Sequence, residues 1–273
     1  MNQLSNKFFL SCICSVFSFS AMSGQDLSMK EKQQQAYENS KAVLQTMGLS
    51  LLDGDIRIAS SKKIIADNQG KNDIYVANIK KSLKMHEEQQ KNGYVKEPES
   101  RAKELIEFRK ASSYQFKKYE NEFSATSTHL RHSISELKMA YTFVGVPQSA
   151  ISTDIGVAPY GAYKQTKYGD EGDGWDGAIH FFENKSVGTC EFREHNLKLA
   201  RGGVELIKEL ISYKINNKPT VVLVQGDDKT GYLYRVSWYD KMYSRDLYCA
   251  SKQFSKDTTQ KVIELANVIE KSQ

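Results

Sequence analysis

Four groups of residues in this chain have chemistry beyond packing. The first is cysteine. Of four cysteines, Cys12 and Cys14 fall in an apolar leader, which leaves Cys190 and Cys249 in the rest of the chain. An even pair in an oxidising compartment reads as a disulfide. Both cysteines sit in segments with strand character, each on the face of a large apolar neighbour, Phe192 and Leu247. The alternative is two free thiols or a reactive cysteine, and no flanking motif supports catalysis.

The second group is the acidic turn Asp170-Glu171-Gly172-Asp173-Gly174-Trp175-Asp176-Gly177. Carboxylates on a flexible turn are what a hard cation such as calcium takes as ligands. Asp170, Asp173 and Asp176 are the candidate ligands. The spacing departs from the EF-hand loop, because glycine stands two and four positions after Asp170. A solvated acidic turn is the competing reading, and no other cofactor is implied.

The third group is aromatic. Residues 145–177 hold seven glycines and two prolines with no sustained period, and they carry Tyr160, Tyr163, Tyr168 and Trp175. Aromatic side chains on a glycine-rich loop give contact area at low entropic cost, as recognition surfaces do. A flexible linker whose rings tuck into the core is the competing reading. The fourth group is histidine. His180 and His195 lie in or beside strands with Glu183 and Glu194 near in sequence; with Asp173 or Asp176 they supply the parts of a general acid/base site. His129, His132 and Glu136 could share a helix face at metal-ligand spacing. Gly-x-Ser-x-Gly, the phosphate-binding Gly-x-x-x-x-Gly-Lys-Ser/Thr and His-Glu-x-x-His are all absent.

These residues need elements to position them. Period-two alternation and turn signals place strands at Ile179–Phe181, Val187–Phe192, Gly231–Trp238 and Arg245–Ala250, and the continuously apolar Thr220–Val224 reads as a central strand covered on both faces. Helical stripes appear over Gly202–Tyr213 and behind Ser255, a good N-cap. The expected domain over 178–273 is therefore α+β: a mostly antiparallel five-stranded sheet with two helices, crossed by one disulfide. Tyr232, Tyr234, Val236 and Trp238 form a tyrosine-rich strand face that could add to a recognition surface.

Upstream, residues 24–144 have helical character. A first helix is expected over 28–47 and a second over 73–91. From Glu99 to Phe143 there is no glycine or proline, and Phe116, Tyr119, Phe123, Leu130, Ile134, Leu137 and Tyr141 recur at three- and four-residue steps. That pattern predicts a single helix about 65 Å long. The fold class expected is thus an N-terminal helical arm of two or three helices, one of them very long, followed by the sheet domain. A coiled-coil seam along the long helix would give a homo-oligomer.

Residues 1–23 have the form of a secretory signal peptide: Lys7, an apolar run from Phe8 to Phe19, and Ala21-Met22-Ser23 before Gly24. The apolar run is too short to span a bilayer stably. Net charge is +5, with 38 basic and 33 acidic side chains interspersed, so nothing calls for nucleic acid as a partner. The expectation is an exported bacterial protein, periplasmic or secreted. It would act as a non-catalytic binding or assembly module on a protein partner in the envelope or outside the cell, with no transmembrane span in the mature chain. The alternative is an exported hydrolase with His180 or His195 as base.

Overall fold

The computed structural model describes residues 55–119, 124–164 and 173–273. The expected signal peptide, the helix over 28–47, Phe123, Tyr168 and Asp170 lie outside them.

The chain opens with a short strand, β1 (Ile56–Ala59), and two helices, α1 (Ser61–Asn68) and α2 (Asp73–Asn92). Ser60 and Asn72 cap the helices by accepting from Lys63 N–H and Tyr75 N–H, and left-handed Gly93 ends α2. Two shorter helices follow, α3 (Ser100–Ile106) and α4 (Phe108–Tyr119). Strands β2 (Thr153–Lys164), β3 (Gly174–Asn184), β4 (Gly188–Asn196), β5 (Val204–Ile207), β6 (Tyr213–Ile215), β7 (Lys218–Asp227), β8 (Gly231–Tyr239) and β9 (Tyr243–Ser251) come next, and helix α5 (Lys256–Ser272) closes the chain.

Seven strands form one sheet in the order β2-β3-β4-β9-β8-β7-β6, with every pairing antiparallel. The short β1 and β5 pair in parallel beside it. One sheet face packs on α5, whose Val262, Ile263, Leu265, Ala266 and Ile269 meet Phe182, Phe192, Tyr234, Val236, Trp238 and Leu247. Each fully buried side chain of this size contributes about 1.5–3 kcal/mol. On the other face Ala102 and Leu105 of α3 cover Phe181, Leu233 and Ala250. A third, small cluster of Ala59, Ile64 and Ile79 holds α1 and α2 to β1 and β5.

Cys190 and Cys249 are directly opposed in β4 and β9 and are joined by a disulfide at the centre of the α5-facing core, both fully buried. No helix among the described residues is long and apolar enough to cross a membrane.

The chain mixes helices and strands, but the expected helical arm and five-stranded sheet are overturned in four respects. The sheet has seven strands, not five. The stretch 202–213 is not a helix: it is β5, a 3-10 turn over Lys208–Leu210 and the start of β6. Its stripe of Val204, Ile207, Leu210 and Ile211 is rich in β-branched residues, and a short apolar run fits either period. The seventh strand, β2, lies within the stretch 145–177 that composition marks as a loop. Its glycines make bulges, one at Gly156 (φ +140°) and one around Gly161 (φ +77°), where the register with β3 shifts. Its Pro159 is tolerated because β2 is an edge strand, which has ladder positions that need no N–H.

The single long helix is also absent. Glu107 separates α3 from α4, and 124–143 holds only a 3-10 turn at Ile134–Glu136. Ser124-Ala125-Thr126-Ser127-Thr128 offers hydroxyls that compete for the backbone, as His129 N–H to Ser127 Oγ shows. The apolar stripe divides instead: Leu130 enters the α3-side core and Leu137 the α5-side core. The segment thus wraps the β2 edge, where Arg131 and Val157 exchange hydrogen bonds of 2.6 and 2.8 Å. No continuous seam is left on it for a coiled-coil homo-oligomer.

Candidate binding face

The register fixes which side chains share a face. Arg193 of β4 opposes Asp246 of β9, which opposes Ser237 of β8. One step along, Glu191, Tyr248 and Arg235 form the next row. Tyr160 of β2 opposes Gly177 of β3, which opposes His195 of β4. All these stand on the face away from α5.

Between α3 and α2 this face carries side chains in a diagonal of alternating rings and cations. Tyr160 sits edge-on to His195 at 5.3 Å between centroids. The Arg193 guanidinium lies 5.9 Å from the Tyr160 ring and 4.9 Å from that of Tyr248. The Arg235 guanidinium lies 5.3 Å from the same Tyr248 ring, which completes a ladder of rings and cations. Gly177 makes this possible, since a Cβ there would come within 3.0 Å of Tyr160 Cδ1. Tyr160 is 38% exposed, and the Arg193 and Arg235 side chains keep 25% and 39% of their surface in solvent.

The guanidinium groups are held in place by carboxylates. Fully buried Glu191 accepts from Arg193 Nη2 at 2.6 Å and from Arg101 of α3. Asp246 accepts from Arg235 Nε and Nη2 at 3.1 and 2.9 Å and from Ser237 Oγ. Asp246 chiefly holds Arg235 firmly protonated, while burial, aided by the nearby Asp246, raises the Tyr248 phenol above its ordinary pKa. The ladder's conformational freedom is therefore already spent before anything binds, which favours association. Towards α2 the face runs into a cleft of about 250 Å³. Met85, Leu206, Leu210 and Leu223 give it apolar walls, and His86 and Tyr239 are among its polar groups; burial lifts the Tyr239 phenol to about 12.

The residues singled out from sequence fall in different places. Tyr160 is on the face just described. Tyr163 and Trp175 pack edge-on at 5.6 Å; Tyr163 is half-buried, and Trp175 is buried with its indole N–H on the Ala125 carbonyl. The face of Tyr232, Tyr234, Val236 and Trp238 is core under α5, not surface. Asp173 pairs with Lys138. Asp176 is buried and accepts from Ala162 N–H at 2.7 Å, with His195 Nε2 at 3.2 Å and Lys164 Nζ at 3.5 Å. Among the described residues no set of three His, Cys, Asp or Glu side chains is placed to hold a metal ion.

The histidines do not converge. His180 opposes Phe192 whereas His195 opposes Gly177, three positions along β4, so the rings stand on opposite faces. His180 is buried; its Nδ1 accepts from Val146 N–H at 3.1 Å, so Nε2 carries the proton and donates to Asp154 Oδ1 at 3.1 Å. His129 and His132 stack flat on Tyr119 and Phe116 at 3.9 and 4.0 Å rather than sharing a helix face with Glu136.

Sequence reasoning passed over Arg193, Arg235 and Tyr248. Their signal was the outward half of each alternation, in Phe192-Arg193-Glu194, Tyr234-Arg235-Val236 and Leu247-Tyr248-Cys249. No protein-family model, characterised protein or solved structure matches this chain.

Proposed function

We propose that this is an exported, disulfide-stabilised binding module, which holds a protein partner on the open face of its sheet. The observation that carries the reading is the ladder Tyr160–His195–Arg193–Tyr248–Arg235, ordered by buried Glu191 and half-buried Asp246 and flanked by a cleft with apolar walls. Tyrosine and arginine in a preorganised patch are the residue types that dominate protein-binding energy. Export is supported by the leader-like residues 1–23 and by the buried disulfide, a bond that oxidising compartments maintain.

The test is a photo-crosslinking phenylalanine analogue placed at exposed Tyr160, in cells that make the protein natively, with Lys62 on α1 as the control position. The reading expects one discrete adduct from position 160 that is missing from position 62. Loss of that adduct on adding Arg235→Ala would locate it on the ladder. No adduct at 160, or the same adducts from both positions, would remove the proposal.

A further inference from the structure

Helix α4 is anchored on one side and open to solvent on the other. Inward, Phe108 stacks on Phe181 of β3 at 4.1 Å between centroids, Phe116 on His132 at 4.0 Å and Tyr119 on His129 at 3.9 Å. Three ring contacts along 12 residues set the rotation of the helix about its axis. The outward side is therefore presented as a fixed face. There Lys110, Ser113, Tyr114 and Lys117 recur at i, i+3, i+4 and i+7, with Arg109 and Lys118 beside them, and all six are exposed. Tyr114, in the middle of the face, is 67% exposed.

The charge on this face has one sign. α4 contains four cations and no acid. Glu107 stands at its head, and Glu120 and Glu122, just beyond its end, lie outside the described residues. Arg109 pairs with Glu183 at 3.2 Å, yet 65% of its side chain stays in solvent. Among the described residues Lys110 and Lys117 form no ion pair. The other long helices mix their signs in solvent: Lys80, Lys84 and Glu87 are exposed on α2, and Lys256, Asp257 and Glu264 on α5.

We propose that this face docks on the anionic phospholipid surface of a membrane, with α4 lying in the plane of the headgroups. Three of its four cations are lysines, point charges that suit a diffuse anionic layer better than bidentate recognition of a single carboxylate or phosphate. The outward side of a helix is a convex ridge, which rests on a plane rather than enclosing a segment. Tyr114 completes the match. A tyrosine ring has an apolar body and a wet hydroxyl and sits at headgroup depth, while lysine stems reach past it to the phosphates. The apolar side of α4 is already spent on the sheet, through Phe108 and Phe116. Attachment is therefore by charge and one ring, and it is reversible. Export, as proposed above, brings the chain to such a surface. The face does not depend on the ladder.

Co-sedimentation of the mature, oxidised protein with vesicles tests the proposal. Vesicles containing phosphatidylglycerol should bind it saturably and release it as salt is raised, and vesicles of phosphatidylcholine alone should not bind it. Lys110→Gln and Lys117→Gln should each weaken binding about fivefold. Lys80→Gln combined with Lys84→Gln removes exposed charge from α2 instead and should leave binding unchanged. Tyr114→Trp, at a position whose side chain meets solvent, should fluoresce further to the blue on the charged vesicles as the ring leaves water. No binding to the charged vesicles, equal binding to both kinds, an equal loss from the α2 pair or an unmoved emission spectrum would each overturn the assignment. Tighter binding to polyglutamate or to DNA than to the charged vesicles would overturn it too, by giving the face to another polyanion.

Discussion

Gln89 should behave as a piece of the sheet although it belongs to a helix. Beyond β6, which covers only the first part of β7, the edge of β7 would present free backbone groups. The Gln89 side chain closes it: Nε2 donates to Val222 C=O at 2.9 Å, and Oε1 accepts from Val224 N–H at 2.7 Å. Val95 takes over beyond, accepting from Gly226 N–H and donating to Val224 C=O. Val222 and Val224 are 8% and 0% exposed, so Gln89→Ala strands two backbone groups in largely dry surroundings. At about 1–3 kcal/mol per orphaned group, with water recovering part of the loss at an edge, the expected cost is about 2–4 kcal/mol. For a chain of this size each kcal/mol lowers the melting point by about 2–4 °C. Urea unfolding followed by tryptophan fluorescence reads the first quantity. Hydrogen exchange at Val224 reads the local one, and that amide should lose protection. Gln89→Glu keeps the acceptor for Val224 and loses the donor for Val222, so it should fall between. The variant edge should also promote concentration-dependent self-association. A Gln89→Ala protein within about 0.5 kcal/mol of the parent, with Val224 protection intact, would refute this reasoning.

Other outcomes follow from the same geometry. Replacing both cysteines by alanine opens a loop spanning 59 positions and should cost about 4 kcal/mol by the chain-entropy relation, measurable as a lower urea midpoint that reductant no longer shifts. Gly161→Ala places a Cβ against Asp176 Oδ1 and 2.9 Å from His195 Nε2 at a φ of +77°, and should cost at least about 1–3 kcal/mol in the same assay. Because the folded state raises the Glu194 pKa, it binds that proton more tightly than the unfolded chain does. Its contribution to stability is present below the ordinary glutamate range and is lost as pH rises through the raised value. Unfolding of Glu194→Gln across a pH series should lack that decline, while the acid-side loss due to depressed Asp240 persists; an unchanged profile would count against the buried pairing of Glu194 with Arg245.

The strands that alternate cleanly were legible because one of their faces is core. Gly231–Tyr239 shows it best, with Tyr232, Tyr234, Val236 and Trp238 under α5. The disulfide was legible from the cysteine count and an expected oxidising compartment, and the structure adds that its halves are directly opposed. β2 was hidden because glycine and proline mark both loops and bulged edge strands; only the pairing with β3 tells them apart. The stretch 124–143 was hidden for a different reason. Its apolar residues keep a helical spacing, yet they serve two cores on opposite sides of the sheet, which no local pattern records. The candidate face and the ion network around Arg245 share this property. Arg101, Arg193 and Arg235 meet across three elements, and Glu194, Lys218, Arg245 and Glu270 across four, so their meaning lies in the register.

The oxidised sheet is the premise on which the candidate binding face rests, and its thiols can be examined where the protein matures. Native protein should be collected from its own cells with thiols alkylated at lysis, digested without reduction and mapped by mass spectrometry. The account predicts a cross-linked peptide pair joining Cys190 to Cys249, with no alkylated form of either. Alkylation of both residues in freshly lysed cells would contradict it.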